Sequence, residues 1–333
     1  MLFIAGGGIL GNQKADYVWF NGKLVRWEDA RVHVLTHAFN YGTAAFEGIR
    51  AYPYNGQMYI FRLKEHLERL QNSCKVYGFK LNYTLEQLND ACVELIRENR
   101  LHERTYIRPL VYVAGVGVGI GFSGQPIGVA IAAVPFGTYF SSDGGVHAMV
   151  SSWRRISEES LPPSAKIAGH YANSVLAKMH ALENGYGEAI MLDSKGNVSE
   201  GTGENIFIVK EKRLITPPLS SGILEGITRK TVMELAQDEG IEVVEREVTR
   251  IELYTSDEAF FTGTAAEITP ILSVDKRPVG NGKPGSITKK MIELYGKAVI
   301  GKVRGHEDWV TPVYKQTVKE ESEKVGAKAT PLS

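Results

Sequence analysis

The dipeptides Asn21-Gly22 and Asn55-Gly56 constrain this chain more than any other feature. Each interrupts a run rich in aromatic and β-branched residues, "ADYVWFNGKLVRWED" and "AYPYNGQMYIF". A two-residue hairpin turn needs positive φ at both central positions, and Asn-Gly supplies it at low cost. Two hairpins are therefore expected near the start. Further strands are expected in "TYIRPLVYVAGVGVGIGF" and "IGVAIAAVPF". Between them lie two helices. Leu63, Leu67, Leu70 and Cys74 form one apolar stripe that ends near Gly78. Thr84 caps the second helix, with Gln87 at the third helical position completing a capping box. The first ~135 residues thus read as an α+β domain with mostly antiparallel strands.

"PFGTYFSSDGG", residues 135–145, is rich in Gly and Ser and reads as a linker. Beyond it, "HAMVSSW" reads as a strand and "ANSVLAKMHALENG" as a helix ending near Gly185. "EAIMLDSKGNVSEGTGENIFIVK" reads as a pair of strands around Lys195-Gly196-Asn197. "GITRKTVMELAQDEG" is a helix, "IEVVEREVT" a strand, and "DEAFFTGTAAEITPILSVD" two short strands around Gly263. The expected division is 1–134, 135–146 as interdomain loop, 147–312 as the larger domain, and 313–333 as a polar tail.

Composition removes several classes of function. Lys+Arg and Asp+Glu both number 38, so nothing suggests a nucleic-acid or anionic-membrane surface. Cys74 and Cys92 form no CxxC and no metal spacing, which makes a reducing cytoplasm the default. The start "MLFIAGGGIL" lacks a cationic segment and is not read as a signal peptide. No apolar run reaches the ~20 residues of a membrane helix.

Two motifs mislead. Gly119-Ile-Gly-Phe-Ser-Gly124 spells GxGxxG, but a dinucleotide fingerprint must open a helix, and Gln125-Pro126 with a β-rich run follows instead. His33 and His37 are four apart, yet "HVLTH" has no glutamate between them and no third ligand nearby. A packed or hydrogen-bonded pair is expected there rather than zinc.

The chemistry gathers around "PPSAKIAGHYANS". Alone, Lys166 reads as surface charge. However, a nucleophilic lysine must be approached by its target, and Ala165, Ala168 and Gly169 leave room for a planar ring. Tyr171 lies close enough to touch the same ring. "SEGTGEN", residues 199–205, carries two acids; a carboxylate can keep a pyridine nitrogen protonated. "LEGITR" places Gly226 before a helix, where N–H groups and the dipole suit a phosphate. "FTGTAAEITP" offers a second turn of N–H groups. A lysine, an acid and two anion turns together are what pyridoxal 5'-phosphate needs.

The chain resembles the branched-chain amino-acid aminotransferases, of the fold-type IV pyridoxal-phosphate family. "YGTAAFEGIRAY", "EHLERL", "YIRPL", "SSW", "KIAGHYANS", "SEGTGENIF" and "SGILEGITR" carry the likeness, from about Ala15 to about Pro312. The resemblance implies a smaller α+β N-terminal and a larger C-terminal domain. It implies that Lys166 is the Schiff-base lysine and proton shuttle. Glu200 is then the partner of the pyridine nitrogen, with Glu204 as second candidate, and Tyr171 the partner of the ring O3'. Arg69, Ile227, Thr228 and Thr264 would hold the phosphate. On the substrate side, Tyr106 and the Thr264-Ala265 backbone would hold the α-carboxylate, and Arg108 the distal carboxylate of glutamate or 2-oxoglutarate. Phe46, Tyr41, Tyr139, Val118 and Ile120 would wall an apolar pocket, some of them crossing from a partner subunit in a homodimer or larger homo-oligomer.

The implied reaction moves the amino group of leucine, isoleucine or valine to 2-oxoglutarate, giving branched-chain 2-oxo acids and L-glutamate. D-amino-acid transaminases, (R)-amine transaminases and aminodeoxychorismate lyase resemble the chain at Lys166, Glu200 and Arg69. "YIRPL" with "GTAAEITP" favours the branched-chain activity among them. The chain departs from some family members at Phe136, where they carry tryptophan, and at His170, where they carry asparagine.

Overall fold

A computed structural model describes residues 15–137, 139 and 144–314. The leader before Ala15, most of the expected interdomain loop and the tail beyond Tyr314 lie outside the described residues.

The first sheet begins with the expected hairpins. β1 (Tyr17–Phe20) and β2 (Lys23–Arg26) meet at Asn21 and Gly22, with φ of 50° and 93°. β3 (Ala44–Phe46) precedes the second hairpin of β4 (Ile49–Tyr54) and β5 (Gln57–Phe61), whose Asn55 and Gly56 have φ of 49° and 74°. The Asn21 turn also docks on the sheet: its N–H donates to the Val129 carbonyl, and its Oδ1 accepts from the Val129 N–H, both at 2.8 Å. β6 (Thr105–Val113) and β7 (Ile127–Pro135) form the long central pair. All pairings in this sheet are antiparallel.

The second sheet holds β8 (Val146–Arg154), β9 (Glu188–Leu192), β10 (Asn205–Lys210), β11 (Arg213–Thr216), β12 (Val243–Glu245), β13 (Glu258–Gly263), β14 (Glu267–Val274) and β15 (Arg277–Pro278). Its order is β12-β11-β10-β13-β14-β8-β9, with β15 on β14, and it mixes parallel and antiparallel pairs. β16 (Val310–Pro312) returns to the first sheet and pairs with β5.

Among the described residues the helices are α1 (His37–Tyr41), α2 (Leu63–Val76), α3 (Leu85–Glu98), α4 (Tyr171–Glu183), α5 (Ile227–Asp238), α6 (Arg250–Tyr254) and α7 (Ser286–Ala298). The α2 stripe of Leu63, Leu67, Leu70 and Cys74 is buried in the core of the first sheet. The α3 capping box forms as read. A further apolar cluster joins the two halves: Tyr52 and Phe61 pack with Phe207, Phe260, Met291 and Trp309.

Two readings change, and one helix was not read from the sequence. The two strands read around Lys195-Gly196-Asn197 are β9 and β10: the chain turns back after β9, with Asp193 bonded to Asn197 and Met191 to Ser199 and Glu200, while β9 pairs in parallel with β8 and β10 lies between β11 and β13. The intervening residues 198–204 are irregular, apart from a bridge between Leu192 and Val198. Both Glu200 and Glu204 on this segment are buried. The strand expected over "IEVVEREVT" shrinks to Val243–Glu245. Helix α7 had no local start signal, because its cap comes from afar: Glu258 on β13 accepts from the N–H groups of Ile287 (3.1 Å) and Thr288 (2.7 Å). The polar tail does not begin at 313. Val313 is fully buried, and the Tyr314 N–H donates to Gln57 Oε1 at 2.7 Å.

Segment 119–124 opens no helix and leads into β7. His33 and His37 do not bond each other. His33 Nδ1 accepts from the Leu35 N–H at 3.0 Å, while His37 bridges Thr43 Oγ1 (2.7 Å) and the Ile120 carbonyl (3.0 Å).

Candidate active site

A cavity of about 500 Å³ opens between the sheets. Lys166 reaches it from the segment ahead of a 3-10 turn, Ala168–His170. The backbone there is clamped on both sides: the Lys166 N–H donates to Ser73 Oγ on α2 (2.9 Å), and its carbonyl accepts from the Phe46 N–H on β3 (3.0 Å). The small residues allow this approach. The Gly169 N–H meets the Gly42 carbonyl at 3.0 Å, and a Cβ on Gly42 would lie 2.6 Å from the Gly169 Cα. Lys166 Nζ donates to Tyr171 Oη at 2.5 Å and sits 4.9 Å from the Phe46 ring centroid. Lys166 is a cavity amine, not a surface charge.

Glu200 stands on the irregular segment, buried, and three donors hold it. Arg155 Nε gives to Oε1 (2.8 Å); Asn205 Nδ2 (2.9 Å) and the Leu224 N–H (3.1 Å) give to Oε2. Burial raises its pKa, against the pull of Arg155 and Leu224. Glu204 has fewer donors. Burial and the neighbouring Glu188 push it up to about 8, opposed by Lys178. Burial thus raises the pKa of both acids of one short motif.

Arg69 projects from α2 into the cavity wall, bound by Glu47. Its Nε and Nη2 donate to Oε1 and Oε2 of Glu47 at 2.7 and 2.8 Å, and its Nη1 donates to the Glu225 carbonyl at 2.8 Å. Glu47 is fully buried. Burial favours its neutral form, but Arg69 and His66 more than offset this and hold it well below the usual carboxylate range. Beside Arg69, α5 begins at Ile227 behind Gly226, whose cap position supplies no side-chain bond. A Cβ at Gly226 would fall 1.8 Å from Asn205 Oδ1, so glycine is required for the close approach. Ile227 and Thr228 both line the cavity, as do Thr264 and Ala265 in the turn between β13 and β14. Arg50 steadies that turn: Nη1 reaches the Ala265 carbonyl (3.3 Å) and Glu267 (3.1 Å), and Nη2 the carbonyls of Phe136 (3.0 Å) and Gly137 (2.7 Å).

Tyr106 and Arg108 stand two apart on β6, which puts both on one face. Arg108 Nη2 donates to Tyr106 Oη at 2.8 Å, and its guanidinium lies 4.8 Å from the Phe46 ring centroid. Phe136 packs on Tyr106 with centroids 5.0 Å apart. Tyr139 also lines the cavity.

Of the residues singled out from sequence, Phe46, Arg69, Tyr106, Arg108, Tyr139, Lys166, Tyr171, Glu200, Glu204, Ile227, Thr228, Thr264 and Ala265 share this one cavity. Tyr41, Val118 and Ile120 do not line it in the single chain: they lie on the outside, Val118 at 89% and Ile120 at 82% exposure. Sequence reading passed over Glu47, His66, Arg155, Asn205 and Arg50. The available signal was position: each is a charged or polar residue inside or beside a recognised motif, with no local partner to explain it.

An amine, two buried acids and two turns of backbone donors around one cleft are the equipment of an enzyme that handles amino groups beside a phosphate. The chain belongs to the amino-transferase class IV family, whose model matches residues 44–274. It is 46% identical to the branched-chain-amino-acid aminotransferase of Salmonella typhimurium over 305 residues, 90% of this chain and 98% of that protein. Among solved structures it is similar to the branched-chain aminotransferase of Thermoproteus uzoniensis with norvaline, at 48% identity and TM-score 0.87, covering 90% of this chain and all of that one. It is also similar to the branched-chain amino acid aminotransferase of Thermobaculum terrenum in its PLP-form, at 40% identity and TM-score 0.87, covering 91% of this chain and all of that one.

Proposed function

We infer that this protein transfers the amino group of leucine, isoleucine or valine to 2-oxoglutarate, with pyridoxal 5'-phosphate as cofactor. The observation that carries the reading is the Lys166 amine bonded to Tyr171 in a cavity shared with Glu200, Arg69 and two turns of backbone donors. The donor set fits the cofactor. Lys166 would bind it covalently and Tyr171 its O3'. Glu200 would face the ring nitrogen, where a cationic N–H would supply the stabilisation that burial denies this carboxylate. Arg69, Ile227, Thr228 and Thr264 would take the phosphate.

When bound, the cofactor supplies an aldehyde for the amine and a ring that accepts electrons from the substrate Cα. The chain supplies the proton work and the positioning. Lys166 would carry the proton between Cα and C4', and Tyr171 holds its amine in place. Tyr106 and the Thr264-Ala265 backbone hold the α-carboxylate. Arg108 sits at the rim, where it meets the distal carboxylate of glutamate and is passed over by leucine. Phe46, Tyr139 and Phe136 give the aliphatic wall. One methylene in such a pocket is worth about 1–3 kcal/mol, so the three aliphatic substrates are separated weakly.

We further propose two domains, 1–134 and 147–312, joined by 135–146, and a homodimer. Tyr41, Val118 and Ile120 lie with Phe39 and Val116 in an exposed apolar patch. The patch is preformed: Tyr41 Oη accepts from the Gly119 N–H at 3.1 Å, and His37 fixes the Ile120 carbonyl. A second copy seated there would bring these side chains to the partner's cavity. The cytoplasm suits the two buried free cysteines, and among the described residues no helix is long and apolar enough to cross a membrane.

Lys166→Ala tests the reading. Transamination of L-leucine with 2-oxoglutarate should disappear, and so should the violet absorption of lysine-bound cofactor. Borohydride reduction of the native protein should label Lys166. A label on another lysine, or turnover of D- in preference to L-amino acids, overturns it.

A further inference from the structure

Glu47 and His66 are buried ionisable groups with no place in the reaction just described. Glu47 is fully buried and His66 is 2% exposed. His66 Nδ1 lies 2.7 Å from Glu47 Oε2, the same oxygen that accepts from Arg69 Nη2. The Gly48 N–H adds a weaker bond at 3.3 Å. Glu47 is therefore gripped by Arg69 on two atoms and by His66 on one.

The geometry fixes the protons. Glu47 is ionised and only accepts, so His66 must donate from Nδ1–H. Burial lowers the pKa of His66; Glu47 pulls it up, while Arg69 and Lys166 push it down. A neutral imidazole with its proton on Nδ1 meets every constraint. Arg69 is left with no freedom of its own. Three of its five N–H groups are spent, two on Glu47 and one on the Glu225 carbonyl. The remaining N–H groups can point only where the planar fork directs them, and Arg69 lines the cavity beside Ile227 and Thr228.

We propose that Glu47, backed by His66, is a positioning residue that fixes the Arg69 guanidinium for the phosphate end of the cofactor. This rests on the reading of Arg69 as a phosphate ligand. Glu47 touches neither the cavity nor the substrate: it does not line the cleft, and it acts only through Arg69. Its loss should thus appear in how tightly the cofactor is held, and little in turnover once the cofactor is bound. In Glu47→Gln the amide oxygen keeps one arginine bond and the amide nitrogen cannot accept the other.

The experiment titrates apo protein with pyridoxal 5'-phosphate and follows the violet absorption. Glu47→Gln should weaken cofactor binding about tenfold, the worth of one charge-assisted bond. With saturating cofactor, kcat should stay within about threefold, and the phosphorus-31 resonance of bound cofactor should shift or broaden. Glu47→Asp, which keeps the charge, should recover part of the affinity. Unchanged affinity and an unchanged phosphorus signal in a folded Glu47→Gln overturn the proposal. Wild-type protein that gives no violet band overturns the underlying reading instead. If the variant does not fold, nitrogen-15 spectra of His66 in the wild type decide. A neutral Nδ1–H imidazole from pH 5 to 9 supports the arrangement; an Nε2–H tautomer, or titration near the ordinary histidine value, overturns it.

Discussion

The two walls of the cavity are built differently. On the side assigned to the cofactor, Glu200 in the wall and Glu47 behind Arg69 are buried and each accepts at least three hydrogen bonds, from Arg155, Asn205 and Leu224 in one case and Arg69, His66 and Gly48 in the other. On the wall assigned to substrate, Arg108 is exposed, and a single bond to Tyr106 steadies its guanidinium. Val118 and Ile120 face outward altogether. A buried ion pair cannot readjust cheaply, because freeing one partner strands the other. Such pairs suit a group that stays through both half-reactions. An exposed arginine gives up little when it has no partner, which suits a site shared by an acid and an aliphatic side chain. Under the proposed dimer, a single chain would carry a finished cofactor wall and an unfinished substrate wall.

The sharpest way to break this contrast is to neutralise Glu200. If the cofactor wall works by preorganised charge, Glu200→Gln should lower kcat by about 10²–10³, the usual worth of one such group. Cofactor affinity should fall far less, because Arg69 and the turns still hold the phosphate. Stopped-flow measurement of either half-reaction reads the rate, and absorption titration the affinity. Near-normal turnover would move the role to Glu204.

How much of this was legible in the sequence follows from the range of the interactions. The hairpins at Asn21-Gly22 and Asn55-Gly56, the α2 stripe and the Thr84 cap are local, and local chemistry decides them. Lys166, Glu200 and Arg69 were found through motifs. Their supports were not, since Glu47 meets Arg69 across 22 positions and Arg155 meets Glu200 across 45. Helix α7 was missed for the same reason, its cap lying on Glu258 some 30 residues earlier. The strands beside Lys195 were read, but their sheet neighbours were not, since β9 takes β8 and β10 takes β11 and β13 from distant parts of the chain.

The next test separates the two substrates on the open wall. Glutamate and 2-oxoglutarate bring a second carboxylate; leucine does not. A charge-assisted contact is worth about 1.5–3 kcal/mol, or roughly ten- to a hundred-fold. Arg108→Met should impair the glutamate half-reaction by that factor and leave the leucine half-reaction much less changed. Single-turnover absorption follows each half. Equal losses would make Arg108 a support for Tyr106 and the α-carboxylate, and the shared-pocket account would fail.

The smallest effect should come from the patch outside the cavity. The Ile120 side chain is exposed in the single chain, and the bond that fixes its loop runs from His37 to its backbone carbonyl. Ile120→Asp should therefore leave the fold and the cofactor wall intact. An isolated carboxylate pressed into an apolar contact is penalised unless it stays in water. The variant should dissociate at protein concentrations where the native chain stays paired, as sedimentation velocity would record. Losing cover equal to one methylene, about 0.8 kcal/mol, raises the leucine KM roughly fourfold. The violet absorption of bound cofactor should not move, because no residue of the cofactor wall lies in the patch. A KM that rises without dissociation would place Ile120 in the pocket of its own chain. Dissociation without any change in KM would leave the substrate wall complete in one subunit, and the contrast between the two walls would then be one of rigidity alone.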